Sequence, residues 1–361
     1  MVVTERSFFK RMLQPPKYYE FEKNGVLYVP TKKELWSEFF FRMNIFADRK
    51  NWINVASYSI PVLLGVLLIV YLFAYFTWPT LLAGALYSFV WLPITGTAMY
   101  HRYGAHKAFV LKNKIWLFFV RNLMLKIPFE EIFIISHYLH HSIPDQPSDP
   151  YNPKAGYLYS FLADVNHQPI AKDLSELEYQ KVAGLIEHTG VHANSYAQYL
   201  RFGSIVHPAK AVAHVVLNWS FWFGVFYFVG GGLALPMAIF GLSSVWAFRI
   251  RSINYLVHGG GETKHRDGSD FHRRDNSINL TLPGWLGGEW HNNHHMFPSG
   301  IRSGFLPSQP DMPYLFIKCL IALRAVSSFH DDTERFFQQI ASKKVKTTNT
   351  EPIQNGDSLW L

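Results

Sequence analysis

Between Asn51 and His101 the chain carries no Asp, Glu, Lys or Arg. At about 1.5 Å per helical residue, a run of that length crosses a hydrocarbon layer of roughly 30 Å twice. It predicts a helical hairpin with its turn near Thr77-Trp78-Pro79-Thr80. A second charge-free run, Ala211 to Phe248, is interrupted by Gly230-Gly231-Gly232, and glycine both weakens helix interiors and accepts turn dihedrals. Buried helices of soluble proteins seldom go so far without a charge. The two runs therefore predict an all-α integral membrane protein with four transmembrane helices in two hairpins, carrying a cytoplasmic helical cap.

The flanks orient the hairpins. Arg42, Arg49 and Lys50 precede the first span, Arg102 and Lys107 follow the second, Arg201 and Lys210 precede the third, and Arg249 and Arg251 follow the fourth. Neither hairpin turn holds a Lys or Arg, so both termini and the long middle segment are expected on the cytoplasmic side. The net charge of +8 then belongs to loops beside anionic lipid and calls for no nucleic-acid partner. The single cysteine, Cys319, excludes an intrachain disulfide, in keeping with a reducing compartment. MVVTERSFFKRML has no apolar stretch long enough for a cleaved signal peptide.

The expected organisation follows: residues 1–50, a cytoplasmic N-terminal segment with an interfacial helix; 51–101, the first hairpin; 102–210, a cytoplasmic segment; 211–256, the second hairpin; 257–341, a cytoplasmic cap; and 342–361, a mobile tail with little to bury. Lys114 to Ser136 is apolar but holds Arg121, Lys126, Pro128, Glu130 and Glu131, so it reads as a helix lying in the interface. Residues 163–210 are mixed and polar, suited to cytoplasmic helices and loops.

The spacing H-x-x-H-H occurs twice, at His137, His140, His141 and at His291, His294, His295. On a helix, offsets of three and four residues fall about 60° to one side and 40° to the other, so each box is a three-pronged clamp. His101 and His106 are five apart, a rotation of about 140°, so either they straddle two metals or one sits past the helix end. Asn254 and His258 share a face where the fourth span emerges. All of these lie at the cytoplasmic ends of spans or in cytoplasmic segments. Nine neutral imidazoles gathered there without a cation would be an unreasonably polar cluster. His167, His188, His192, His207, His214, His265, His272 and His330 are read as ordinary core or surface residues.

Nine imidazoles are too many for one tetrahedral zinc. Shared between two ions they suit a metal of higher coordination, and iron both accepts imidazole and changes oxidation state. A di-iron centre at the membrane surface points to a substrate drawn from hydrocarbon, a lipid chain.

The set HRYGAH (101–106), HYLHH (137–141), NYLVH (254–258) and HNNHH (291–295) resembles the membrane fatty acid desaturases, in particular the acyl-CoA delta-9 or stearoyl-CoA-desaturase-like branch. SDPYNP (148–153), DNS (275–277) and GGE (287–289) add to the resemblance, which covers roughly residues 50–330. The last box, with its two asparagines, is most similar to that of bacterial members, which implies a bacterial inner membrane over the endoplasmic reticulum. The resemblance implies that His101, His106, His137, His140, His141, His258, His291, His294 and His295 hold two irons, with Asn254 reaching one through a water. It also implies that dioxygen is the co-substrate and that a saturated acyl chain, carried as acyl-CoA, on acyl carrier protein or in a lipid, gains a cis double bond. No catalytic residue beyond the metal ligands is implied.

Two departures stand out. Vertebrate stearoyl-CoA desaturases carry a Thr-Trp pair lining the acyl tunnel where this chain has Ile250 and Arg251, and residues 163–210 match poorly. The chain holds no dinucleotide fingerprint after a strand, no cysteine set for an iron–sulfur cluster and no His-Pro-Gly-Gly haem motif. Electrons must come from a separate donor such as a ferredoxin or cytochrome b5. Asp145, Asp149, Glu262, Asp275 and Glu289 are candidates to orient the imidazoles. The competing readings are a lipid hydroxylase on the same scaffold and a metal transporter with histidine-rich loops. A transporter would set its ligands at mid-membrane, where only His214 and Asn218 stand out.

Overall fold

The computed structural model describes residues 5–163, 170–284 and 286–348; His167 and the tail from 349 lie outside them. The chain opens with helix α1 (Glu5–Met12), a two-residue ribbon of β1 (Glu22–Lys23) and β2 (Val26–Leu27), and helix α2 (Lys32–Met43). Thr31 starts α2 with a reciprocal cap: its hydroxyl accepts from Glu34 N while the Glu34 carboxylate accepts from Thr31 N. The first hairpin is α3 (Arg49–Tyr75) and α4 (Trp78–Ala105). The turn falls where the sequence places it, with Thr77 capping α4 and Pro79 in its first turn, where a missing N–H costs nothing.

Beyond α4, strand β3 (Phe109–Leu111) leads to α5 (Lys114–Asn122) and α6 (Glu130–Ser142). The single interfacial helix expected over 114–136 is thus two helices. Asn113 caps α5, and Pro128 disfavours helix for the residue before it, so the second histidine box rides on a separate rod. Ile115, Phe118 and Phe119 of α5 are exposed, as an interfacial helix requires. Short helices α7 (Tyr157–Phe161), α8 (Glu176–Gly184) and α9 (Tyr196–Phe202) follow, then α10 (Pro208–Gly230) and α11 (Ala234–Val257). Left-handed Gly231 terminates α10. The cap continues with α12 (His291–Met296), α13 (Met312–Ala322), strand β4 (Val326–Phe329) antiparallel to β3, and α14 (Thr333–Thr348). The fold is mostly helical, and the two short ribbons are additions to the all-α expectation.

Three helices, α3, α4 and α10, are long and apolar enough to cross a membrane. The expected fourth, α11, has the length but not the apolarity. It is the central helix, packed on α3, α4 and α10, so its neighbours are protein and hydrocarbon does not dictate its composition. Ser243 and Ser244 are buried in it, each returning its hydroxyl to a carbonyl of the preceding turn. Small residues let the backbones approach: a Cβ on Gly241 would stand 2.7 Å from Leu68 Cα, and one on Gly84 would stand 2.8 Å from the Ala238 carbonyl oxygen. Around this crossing Leu64, Leu92, Phe240 and Trp246 form the bundle core, while Phe73, Trp78 and Phe228 face outward.

Two of the flanking cations used for orientation are structural. Arg42 is buried against Glu38 at 2.7 Å, and Arg102 is buried against Asp311. The orientation argument loses those two and keeps the others.

The described part of the poorly matching segment 163–210 has a clear task. Leu174, Tyr179, Val182 and Ile205, with Met12 and Leu13 from the N-terminus, pack on Ile134, Ile135 and Leu139 of α6. The helical repeat divides α6 into this apolar back and a histidine front. Burying the back fixes the rotation of the rod and aims the three imidazoles inward.

Candidate metal centre

The nine histidines of the motif fall into two groups. His101, His106, His137, His141 and His294 form one; His140, His258, His291 and His295 form the other. Within each group one ring nitrogen per residue lies within 4.8 Å of all the others. The groups are neighbours, with the His141 and His295 ring centroids 4.3 Å apart.

The boxes are shared between the groups, which the reading of each as one clamp did not anticipate. In α6 the residues at i and i+4, His137 and His141, join the five-histidine group while His140 at i+3 joins the other. In α12 the pattern is exchanged: His291 and His295 join the four-histidine group and His294 crosses over. Helix geometry explains it, because i and i+4 diverge by about 40° to one side while i+3 lies about 60° to the other. His101 and His106 belong to one group. The end of α4 is π-helical from Thr97 to Ala105, and His106 N donates to His101 O at 3.1 Å, five residues back. That wider turn brings residues five apart onto one side, and His106 sits just past the helix end.

Between neighbouring rings the Nε2 atoms face each other: His106 to His137 at 3.0 Å, His141 to His294 at 2.9 Å, and His258 to both His140 and His291 at 3.1 Å. Carboxylates hold the opposite edges. His140 Nδ1 lies 2.9 Å from Asp149, and His295 Nδ1 2.8 Å from Asp275. His258 Nδ1 lies 3.1 Å from Asp145, close but off the line of a good hydrogen bond. A carboxylate only accepts, so Nδ1 carries the proton and Nε2 presents a lone pair inward. Lone pairs converging at such distances repel unless a cation sits among them, and His295 Nε2 is buried with no hydrogen-bond partner among the described residues. This donor set fits metal ions.

Electrostatics agree. Burial, reinforced by neighbouring imidazoles, holds His137, His141, His291 and His294 well below the ordinary imidazole range. Burial takes His106 to about 3, and takes His295 to about 3 against the pull of Asp275. These rings are neutral and available as ligands. His140 alone shifts upward: burial opposes it, but Asp149 outweighs burial, with smaller help from Asp145 and Asp275. Three carboxylates around four imidazoles make a place for positive charge.

Of the suggested carboxylates, Asp145, Asp149 and Asp275 take these positions. Glu262 instead pairs with Lys264 at the surface, 3.1 Å away. Glu289 is buried beside His101 and His291, and burial raises its carboxyl to about 7. Asn254 lines a cleft with His101, His137 and His291.

Helix α12, six residues long, is too short to persist alone, and no motif in the chain indicates what holds it. Its two asparagines hold it. Asn292 Nδ2 donates to the carbonyls of Ser277 and His272 at 2.7 and 2.8 Å, and Asn293 Nδ2 donates to Ser303 O at 2.8 Å. Asn279 Oδ1 accepts from the backbone of both. His272, set aside as an ordinary core or surface residue, lies 3.2 Å from Asp275.

The cleft, about 1180 Å³ counted to its open mouth, runs from these histidines into the bundle between α3, α4, α6 and α11. Pro61, Pro93, Phe129, Phe133 and Trp246 make its walls mostly apolar, the character of a site for a lipid-like ligand. Gly287 belongs to the cleft lining because a Cβ there would stand 2.6 Å from Thr97 Oγ1.

Asp149 is fully buried and also accepts from the backbone N–H of Asp145 and Tyr151, both at 2.9 Å. Asp149→Asn replaces one acceptor by a donor and turns it toward a ring or a backbone that already donates. Metal affinity of the four-histidine group is expected to fall by roughly 10- to 100-fold, read as metal retained against graded chelator. Unchanged retention would refute the orienting role.

The fatty acid desaturase family model matches residues 76–308, well over half of the chain. A probable chloroplastic lipid desaturase of Arabidopsis thaliana, ADS3.2, is 24% identical over 86% of this chain and 76% of its own length. Delta-9 acyl-lipid desaturase 1 of the same plant is 28% identical over 68% of this chain and 73% of its own. An acyl-CoA Delta-12 desaturase of Tribolium castaneum is 26% identical over 71% and 68%. The matched span takes in all four histidine-bearing segments and the paired groups they build. The chain belongs to the fatty acid desaturase family, is an oxidoreductase of that type, and has relatives in the delta-9-like branch.

Proposed function

We propose that this protein is a membrane di-iron desaturase that introduces a cis double bond, delta-9-like, into a saturated acyl chain. One observation carries the reading: His101, His137 and His291, drawn from both histidine groups, are also wall residues of the apolar cleft. A chain lying in that cleft meets the centre directly. In this reading α11 is a fourth crossing shielded by its neighbours, and both termini and the centre face the cytoplasm.

Bound by the five- and four-histidine groups, with Asn254 reaching one ion through water, two irons would supply oxidising power drawn from dioxygen. The balance is one dioxygen, two electrons, two protons and a CH2–CH2 unit giving CH=CH and two waters. Asp145, Asp149 and Asp275 keep the imidazole protons on the outer edges so that the inner nitrogens remain free to ligate. Phe129, Phe133 and Trp246 exclude water from the reacting carbons and restrict the chain's conformers. The electrons come from a separate ferredoxin- or cytochrome-like donor.

The acyl group is carried as acyl-CoA in the proposal from sequence; the names of the Arabidopsis relatives favour a lipid ester as the second reading. The deciding experiment supplies purified protein, donor and dioxygen with stearoyl-CoA or with distearoyl phosphatidylcholine, and localises double bonds by mass spectrometry. A cis-alkene from either carrier supports the proposal and names the carrier. A hydroxylated chain without alkene would move the protein to the hydroxylases. Metal flux into proteoliposomes with no lipid turnover would make it a transporter.

A further inference from the structure

A second cavity, about 720 Å³ counted to its open mouth, shares Pro128 and Phe129 with the cleft as wall residues. Trp52 and Ile53 from the first turn of α3 and Val215 from the second turn of α10 make part of it apolar. It therefore lies at the histidine end of the bundle, where the spans begin. Val212, Val216 and Leu217 of α10 are exposed beside it, so hydrocarbon starts at the same level.

The charges in this cavity do not balance. Arg121 and Lys126 share one carboxylate: Glu130 accepts from Arg121 Nε at 2.7 Å and Nη2 at 2.5 Å, and from Lys126 Nζ at 2.8 Å. The side chains of Arg121, Lys126 and Glu130 are 20%, 6% and 13% exposed, so the trio keeps a net positive charge largely out of water. The Lys126 backbone is pinned to α10, its N–H donating to Asn218 Oδ1 at 3.0 Å and its carbonyl accepting from Trp219 Nε1 at 2.9 Å. Burial holds the ammonium below the ordinary lysine range in spite of Glu130. Glu131 does not supply the missing charge: it accepts from the N–H groups of Ile205 and Val206 at 2.9 and 3.0 Å, and burial raises its carboxyl to about 7. Lys210, exposed and without an ion pair among the described residues, adds a further cation to the lining. Three cations thus face two carboxylates when Glu131 is ionised and one when it is protonated. A buried cation without a full counterion is costly, and an ionisable side chain kept at the edge of a bilayer marks a ligand by default.

We propose that this cavity seats the phosphodiester of a membrane glycerophospholipid, with Lys126 and Lys210 on the phosphate, and that the lipid seated there is the acyl donor. This rests on the desaturase reading of the cleft and selects the lipid ester as its carrier. A phosphodiester brings one negative charge and several acceptor oxygens, and the glycerol and chains joined to it suit walls of Trp52, Ile53 and Val215. One acyl chain then passes Phe129 into the cleft. His137 stands eight residues beyond Phe129, about 12 Å along α6, a distance that the carboxyl half of a long acyl chain spans.

The test uses full-length protein, delipidated in an uncharged detergent, and native mass spectrometry with two probes of equal chains. One is distearoyl phosphatidylglycerol; the other is distearoyl monogalactosyldiacylglycerol, which has no phosphate. Wild type is expected to hold the phospholipid at least about 10-fold more tightly. Lys126→Met leaves Arg121 and Glu130 as a neutral pair and is expected to remove most of that preference with metal content unchanged. Lys210→Glu, at an exposed position, is expected to weaken phospholipid binding at low salt, the difference closing as salt rises. Turnover then separates the carriers: in Lys126→Met, KM for the phospholipid rises about 10-fold while its kcat, and KM for stearoyl-CoA, stay as in wild type. Equal affinity of wild type for the two lipids, or phospholipid binding unchanged in both variants, overturns the site. A rise in KM for stearoyl-CoA in place of the phospholipid gives the cavity to the phosphates of coenzyme A and overturns the lipid assignment. Weaker binding with an unchanged phospholipid KM overturns the donor role. If wild type desaturates neither carrier while phospholipid binding remains charge-dependent, the desaturase reading falls and the phosphate site stands.

Discussion

His140→Ala is expected to strip the ion from the four-histidine group and end turnover, while His294→Ala ends turnover with a smaller loss of metal. The asymmetry follows from what each ring leaves behind. Removing His140 takes the four-histidine group to three imidazoles and leaves Asp149, fully buried, without its imidazole donor and without the nearby ion that offsets its charge. An uncompensated buried charge of that kind costs about 3–5 kcal/mol. His294 comes from a group of five, so four imidazoles remain, and its Nδ1 has no hydrogen-bond partner among the described residues to orphan. Each loss should exceed the roughly 10- to 100-fold effect of removing an outer hydrogen-bond partner. Metal analysis of purified variants, with turnover measured on the same samples, checks both claims. Neither substitution touches a span, so membrane insertion should be normal. Full turnover in His140→Ala would end the two-group assignment.

Much of this site was legible in the order of residues, and the reason is helical geometry. Offsets of three, four and five residues are local quantities, so the sequence could name which imidazoles share a helix face and could pair them with membrane-end positions. The partition between groups was not legible. Whether His140 turns toward His258 or toward His137 depends on how α6 is rotated, and that is set by Leu174, Val182 and Ile205 packing on its back from a segment with no motif. The π-helical end of α4 was equally hidden, since nothing in Thr97–Ala105 announces a wider turn. The span count shows a related limit. Hydropathy measures what a helix would tell lipid, and α11 is surrounded by protein, so composition described its environment and not its direction. His272 was passed over because a lone histidine carries no spacing signal; only its distance to Asp275 singles it out.

Asp311→Ala tests how the cap is fastened to the bundle, and its expected cost is large. Arg102 directly follows His101, and its Nη2 reaches both Asp311 oxygens at 2.7 and 2.8 Å while Nη1 donates to Ile301 O. Both side chains are almost fully buried. Asp311 further accepts from Ser303 N at 2.7 Å, Gly304 N at 3.1 Å and Tyr314 N at 2.9 Å, so one carboxylate ties the end of α4 to the 301–304 turn and caps α13. Truncation leaves a buried guanidinium unpaired, a loss of about 3–5 kcal/mol, against a total stability on the order of 5–15 kcal/mol for a typical fold. Because Ser303 O receives Asn293 Nδ2, slack in that turn passes to α12 and its histidines. Detergent-solubilised Asp311→Ala should therefore melt well below wild type and lose metal before it loses its transmembrane helices, seen as metal release preceding the far-ultraviolet transition. The double variant Arg102→Met with Asp311→Leu removes both charges and fills the space, and a buried ion pair replaced by apolar side chains is often neutral. Recovery of much of the melting temperature in that variant would assign the loss to the stranded charge. A melting temperature in Asp311→Ala equal to wild type would show that the cap is held elsewhere.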